Sequence, residues 1–172
     1  MQTVILAGGK GTRLLPLTQN TPKPMVMVAG KPYLVWQLEY LRAQGLNDIL
    51  LLVSHLSDVI ESYFEKNPLT GMHLRFSREP SPRGTGGALH LALNDLSDEF
   101  WLINGDSFLP LDFGQMYACI QQKKWQACMA ALGNGQLVPV PENLKIQDRL
   151  VCGYQKGAGR ALGFGHVDAG VY

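Results

Sequence analysis

The sequence predicts an α/β fold: a doubly wound, mostly parallel sheet with helices on both faces. Three observations lead there. Short runs rich in Val, Ile and Leu alternate with helix-like patterns along most of the chain. The leading runs are apolar throughout, as strands buried on both faces must be. A glycine-rich loop, Gly8-Gly9-Lys10-Gly11-Thr12-Arg13, comes directly after the first run, and ligand-binding loops in such sheets lie beyond the carboxyl ends of strands.

Gln2 to Ala7 reads as a buried parallel strand. Pro32 opens a helix whose Leu34, Val35, Leu38 and Leu41 form one apolar stripe, ending near Gly45. Ile49 to Val53 is a second buried strand, Ser57 to Lys66 a helix, and Met72 to Phe76 an alternating third strand. A loop from Glu79 to Gly87 precedes an amphipathic helix carrying Leu89, Leu91, Ala92 and Leu93. Phe100 to Ile103 is a fourth strand, ending at Asn104-Gly105-Asp106, and Phe113 to Lys123 is helical. Gln126 to Leu132 reads as another strand. After Gly133 the pattern loosens into hairpin-like strands and glycine-rich loops up to Gly165, and the last residues come after an apparent strand. At 172 residues the chain suits one domain with a sizeable core, divisible into a first part, 1–132, and a second, 133–172.

Composition narrows the function. Charged residues make up 17% and the net charge is +1, so no polybasic surface points to nucleic acid or an anionic membrane. No apolar run approaches a membrane span, and the N-terminus lacks a signal-peptide pattern. The three cysteines, Cys119, Cys128 and Cys152, have neither CxxC nor metal spacing, as expected of a reducing, cytoplasmic compartment. The four histidines, His55, His73, His90 and His166, are scattered.

The positive charge that matters is local. Backbone amides beside Gly8, Gly9 and Gly11 can approach phosphate oxygens closely because no Cβ intervenes. Arg13 can bridge such oxygens bidentately, and Lys23 is aimed by Pro22 and Pro24. Two familiar phosphate motifs are excluded. A Walker loop needs GxxxxGK before Ser or Thr, whereas Gly30-Lys31 runs into Pro32. A dinucleotide fingerprint needs a third glycine and an acidic residue about 20 positions on; here Leu14 stands at the third glycine, and no acidic residue precedes Glu39.

The run LAGGKGTRLLPLTQNTPKPMVMVAGKP, Leu6 to Pro32, resembles the opening of the sugar-1-phosphate nucleotidylyltransferases. The resemblance implies a Rossmann-like nucleotide-diphospho-sugar transferase fold. It also implies an activity: a nucleotidyl group passes from a nucleoside triphosphate to a sugar 1-phosphate, releasing pyrophosphate. The first part, 1–132, would then handle the nucleotide and the second the sugar. Arg13 and Lys23 become the catalytic cations. Leu6, Ala7, Gly8, Gly9, Gly11, Thr12, Glu79, Gly84 and Thr85 would hold the nucleotide. The loop REPSPRGTGGAL, Arg78 to Leu89, resembles guanylyltransferase-like members, and the carboxylate of Glu79 suits the adjacent N–H donors of guanine, so GTP is favoured. Asp106, in LINGDSF, is assigned to Mg²⁺, a hard cation that takes oxygen ligands and completes its octahedron with water.

Asn104, Lys156 and Asp168 are expected on the sugar phosphate. Lys156 lies in YQKGAG, where Gln155 stands in place of a glutamate frequent in the family, and Asp168 in HVDAGVY replaces an asparagine. The family pattern continues past a position equivalent to Tyr172, with a second acidic metal ligand, so the chain reads as C-terminally truncated against it. A homo-oligomer is compatible with the resemblance; nucleic acid and membrane are not expected partners. Two other functions stay open: a nucleotide-sugar-binding regulatory homologue, and a cytidylyltransferase acting on a non-sugar phosphate.

Overall fold

The apolar run Gln2–Leu6 (β1) lies inside a four-stranded parallel sheet, flanked by Asp48–Val53 (β4) and Phe100–Asn104 (β6), with His73–Arg78 (β5) at the far edge beside β4. The computed structural model describes residues 1–81, 83–133, 142–155 and 164–172. They form two compact units, Met1–Met116 and Tyr117–Tyr172.

In the first unit, a two-stranded antiparallel pair, Met27–Val28 (β2) and Lys31–Pro32 (β3), leads into helix Tyr33–Ala43 (α1). Helix Ser57–Lys66 (α2) joins β4 to β5, and helix Gly84–Leu91 (α3) lies between β5 and β6. The strand order is β5-β4-β1-β6. The chain therefore steps outward from β1 to β4 to β5, then returns across the sheet to β6. Parallel crossovers are right-handed, so α1 and α2 cover one face and α3 the other. This is the doubly wound arrangement that the alternation of elements predicts.

Burial explains why these segments take these places. Val4, Ile5 and the run Ile49 to Val53 are sealed from solvent, as are Leu34, Leu38 and Leu41 of α1, and Ile60 and Phe64 of α2 are buried with them. The predicted apolar stripe of α1 is thus the face laid on the core. Edge strand β5 is only half-buried, which is why its sequence alternates. A buried polar residue closes the amino end of the sheet: Gln2 Nε2 donates to Asp95 O (2.8 Å), while its Oε1 accepts from Ser97 N (2.8 Å).

Several boundaries differ from the sequence expectation. β5 runs two residues further, to Arg78, because β4 supplies pairing partners as far as Val53. The expected loop Glu79 to Gly87 is cut short, since α3 already begins at Gly84. That helix ends at Leu91, and a 3-10 turn, Leu93–Asp95, then rotates the side chains out of the helical register. Leu91 and Leu93 are consequently exposed and only Ala92 is sealed, so the expected apolar stripe does not form. The β2–β3 pair was not foreseen.

Helix Phe113–Lys123 (α4) leads into the second unit. There Ala131–Gly133 (β7), Leu144–Gln147 (β8), Leu150–Tyr154 (β9) and His166–Asp168 (β10) form an antiparallel sheet, ordered β7-β10-β8-β9. The expected strand Gln126 to Leu132 contracts to β7. Ala130 instead bonds Val171 O and Ala169 N across a bend (2.8 and 3.0 Å), where a regular ladder cannot continue. The expected hairpin is present as β8–β9, turning at Asp148-Arg149 with both residues at positive φ (52° and 65°), a turn whose twist matches the strands.

Leu51 is fully buried at the middle of β4. Leu51→Ala is expected to lower the unfolding free energy by about 2–5 kcal/mol. Leu91→Ala, on the exposed end of α3, should change it by less than about 0.5 kcal/mol. Urea denaturation of both variants checks the pair.

Candidate active site

All strands of the first sheet are parallel, so β1, β4, β5 and β6 release their chains at one edge. The direction of winding reverses between β1 and β6, and a crevice opens beyond the carboxyl ends at such a switch point. The edge is stitched together past the ends of the strands. Gly105 N donates to Leu6 O (2.9 Å), Glu79 N to Val53 O (2.8 Å) and Ser54 Oγ to Glu79 O (3.1 Å). Ala7 N still reaches Leu52 O (2.8 Å) after β1 has ended.

The glycine loop leaves β1 here. A Cβ on Gly8 would stand 3.0 Å from Ser54 Cβ, so a side chain there would press on the neighbouring strand exit. Gly9 faces open space. Gly11 has φ +63°, and a Cβ there would meet Thr18 Cγ2 at 2.9 Å and Lys23 Cβ at 3.0 Å. Glycine thus satisfies a left-handed backbone and a close approach at once. Thr18, 2% exposed, donates to Gly11 O (2.8 Å) and pins the loop. Thr12 and Arg13 lie in a 3-10 turn, Thr12–Leu14, on the exposed side. The Arg13 guanidinium forms no ion pair among the described residues.

Lys23 opens a second 3-10 turn, Lys23–Met25, between Pro22 and a buried Pro24. Its ammonium pairs with the Asp106 carboxylate, the two side chains being 32% and 40% exposed. The structure therefore brings together the predicted phosphate lysine and the predicted metal aspartate, which are far apart in sequence. Tyr33, at the start of α1, lies near the same carboxylate. Burial first, and then the Asp106 charge, pushes its phenol above the ordinary value. The Tyr33 hydroxyl is buried without a hydrogen-bond partner among the described residues.

Asp106 sits in a turn of four residues. Ser107 N donates to Asn104 O (3.3 Å), closing the turn, and Ser107 Oγ approaches Asp106 Oδ1 (3.4 Å). A Cβ on Gly105 would stand 2.6 Å from Leu6 O, so only glycine allows this exit from β6. Among the described residues no group of three or more His, Cys, Asp or Glu gathers that could hold a metal unaided. One half-exposed carboxylate nevertheless fits Mg²⁺, which commonly takes one or two carboxylates with substrate phosphates and waters completing the shell.

At the exit of β5, Glu79 is 9% exposed and its Oε1 accepts from Arg83 N (2.8 Å). It forms no ion pair with a described residue; Arg78 pairs instead with Asp58 and Glu61. Gly84 and Thr85 begin α3, whose first backbone N–H groups have no partner within the helix.

The second unit carries the remaining predicted residues. Lys156 lies outside the described residues. Asp168 ends β10, and both of its oxygens accept hydrogen bonds, Oδ1 from Gly170 N (2.8 Å) and Oδ2 from Tyr172 OH. Burial, and then the bond to Asp168, raises the Tyr172 phenol.

Sequence reasoning passed over Thr18, Ser54 and Gln37. The first two are ordinary polar residues with no motif. Gln37 is a polar break in the apolar stripe of α1, yet it is 3% exposed. Its only sequence signal was a polar residue on a face where the helix period demands an apolar one.

Comparison with known proteins agrees with this fold. Residues 2–139 match the family described as Nucleotidyl transferase. The chain is 40% identical over 116 residues to a D-glycero-alpha-D-manno-heptose 1-phosphate guanylyltransferase of Campylobacter jejuni, a match covering 67% of this chain and 52% of that protein. It is 41% identical over 120 residues to a mannose-1-phosphate guanylyltransferase catalytic subunit beta of Xenopus tropicalis, covering 67% and 33%. The chain thus spans about half the length of the first relative and a third of the second. Among solved structures, HddC from Yersinia pseudotuberculosis complexed with GMP-PN superposes with a TM-score of 0.80 at 32% identity, covering 99% of this chain and 74% of that one. A glycine loop and a carboxylate meeting at the switch point of a parallel sheet, and a family match over most of the sequence, lead to one conclusion: the chain belongs to the nucleotidyl transferase family.

Proposed function

We propose that this chain transfers a nucleotidyl group from GTP to a sugar 1-phosphate of the heptose or mannose class, releasing pyrophosphate. The observation that carries this is the convergence of Lys23 and Asp106 beside the glycine loop at the β1/β6 switch point. The relatives named as heptose- and mannose-1-phosphate guanylyltransferases support the substrate class.

In the reaction a phosphate oxygen of the sugar attacks the α-phosphorus, and the bond to the β-phosphate oxygen breaks. Both reactants are anionic, so holding them in line and neutralising charge carry most of the catalysis. Arg13, exposed and outside any ion pair with a described residue, takes the triphosphate and its departing pyrophosphate. Lys23 exchanges Asp106 for the reacting phosphates. Asp106 is the ligand for a divalent cation, Mg²⁺, which supplies charge neutralisation at the phosphate oxygens when bound. Glu79 accepts from the N–H edge of guanine, with one oxygen kept by Arg83 N. The exits of β1 and β5 are two strands apart, about 10 Å. That span suits a nucleotide laid along the edge, its base at Glu79, Gly84 and Thr85 and its phosphates at the β1 loop. Asn104, Lys156 and Asp168 are assigned to the sugar phosphate. The unpaired cysteines among the described residues support a reducing, cytoplasmic setting.

Pyrophosphate release from a panel of nucleoside triphosphates and sugar 1-phosphates with Mg²⁺ tests the assignment. GTP with a heptose or mannose 1-phosphate is expected to turn over. Binding of a nucleotide sugar without turnover would favour a regulatory homologue, and turnover only of CTP with a non-sugar phosphate would overturn the sugar reading.

Arg13→Ala and Lys23→Ala are each expected to lower kcat/KM at least about 100-fold. Thermal unfolding should move little, because a half-exposed pair such as Lys23–Asp106 contributes about 0–1 kcal/mol. Activity near wild type in both variants would remove the phosphate assignment. Glu79→Gln should reduce the preference for GTP over UTP by about tenfold or more, since an acceptor facing the N–H edge is exchanged for a mixed group. Competition between the two nucleotides reads this out.

A further inference from the structure

Helix α1 holds the segment after β6 mainly through that segment's backbone atoms, with the Tyr40 ring also packed against Phe108 (centroids 5.2 Å). Gln37 Nε2 donates to Asn104 O and to Ser107 O, both at 3.0 Å. One turn on, Tyr40 OH donates to Leu111 O (2.7 Å), and just past the end of the helix Gln44 Oε1 accepts from Phe113 N (3.0 Å). These three residues recur at the spacing of one helix face.

Gln37 differs from the other two in the segment it brackets. Its two acceptors are the first and last residues of the turn whose third residue is Asp106. Both are carbonyl oxygens, so the amide nitrogen must face them; the reversed amide would set oxygen against oxygen. The two donors of the amide are thereby used. The amide oxygen has no partner among the described residues, although it is buried. A buried unpartnered oxygen carries a desolvation cost, and an apolar side chain of similar volume would avoid it. Retaining glutamine here makes sense through the bonds it gives to the turn.

The turn is thus held from two sides. Gly105 N is tied to Leu6 O on the β1 side, and the two ends of the turn are tied to Gln37 on the α1 side. Between these anchors the Asp106 side chain has little freedom to shift with its backbone.

We propose that Gln37 is a positioning residue that sets where the Asp106 carboxylate stands, and through it the affinity for the divalent cation in the nucleotide complex. The proposal rests on Asp106 being the metal ligand.

The test uses the full chain with GTP and Mn²⁺ as the probe, free Mn²⁺ being followed by electron paramagnetic resonance. Gln37→Met keeps length and volume but removes both donors; Gln37→Leu is a second variant with the same loss. Each is expected to weaken Mn²⁺ binding in the presence of GTP by about tenfold or more, as loss of a ligand's supporting partner does. GTP binding measured without metal should stay within about twofold of wild type, the range of a context effect rather than of a lost contact. In an Asp106→Asn background, Gln37→Met should weaken Mn²⁺ no further.

Mn²⁺ affinity unchanged in Gln37→Met and Gln37→Leu, while Asp106→Asn loses it, would reduce Gln37 to a packing residue. A further loss of Mn²⁺ in the Asp106→Asn background, or an equal loss of metal-free GTP binding, would show that the effect does not run through Asp106. Wild-type Mn²⁺ affinity in Asp106→Asn would overturn the metal-ligand assignment itself, and the proposal with it.

Discussion

The contact on which the site depends is the hydrogen bond from Gly105 N to Leu6 O. β1 and β6 are neighbouring parallel strands, in register from Gln2 and Phe100 to Leu6 and Asn104. Parallel chains usually part as they leave a sheet, each towards its own helix. Here one more bond keeps the two exits together, and the absence of a Cβ at Gly105 permits it, since a methyl there would press on the very oxygen that accepts. The glycine loop and the Asp106 turn therefore begin from one clamped point. The contact between Lys23 and Asp106 depends on that clamp.

Charge is arranged so that the site stays available. The Lys23–Asp106 pair is partly exposed, and a pair in such a place stabilises the fold by about 0–1 kcal/mol. It can therefore exchange partners at little cost to the protein. Arg13, with no ion pair among the described residues, stands on a turn whose geometry is secured elsewhere, by Gly11 and by Thr18. At the other end of the edge, Arg78 is drawn away to Asp58 and Glu61. Glu79 keeps its carboxylate out of any ion pair with a described residue, and holds its own loop by a backbone N–H. Around Arg13 the groups that hold the turn and the group left outside any ion pair with a described residue are different. Such division is what a site must have if its charges are to be pre-set without being cancelled.

Local signals were legible wherever the physics is local. α2 and α4 begin and end where their apolar periodicity does. The buried strands declared themselves by continuous Val, Ile and Leu. Gly84 to Gly87 read as a loop because glycine disfavours helix, whereas the structure winds them into the first turn of α3. The strand expected at Gln126 to Leu132 has the right composition, but its partner bends at Ala169-Gly170, where Asp168 caps the Gly170 N–H. Composition cannot report the shape of a partner that arrives much later in the chain.

The sequence by itself determined the class of the sheet, the glycine-rich, cationic character of the Leu6 to Pro32 run, and the residues able to carry charge there. Those properties depend on side-chain chemistry and on spacing within one or two turns of chain. Only the tertiary structure decided that Lys23 and Asp106 meet, that the winding reverses between β1 and β6, and that Gln37 reaches over to the Asp106 turn. Each of these joins segments far apart in the chain, the Gln37 bonds through backbone carbonyls and the reversal through strand order. Every residue has a carbonyl, so its identity leaves no mark in the sequence; where it stands is settled by packing.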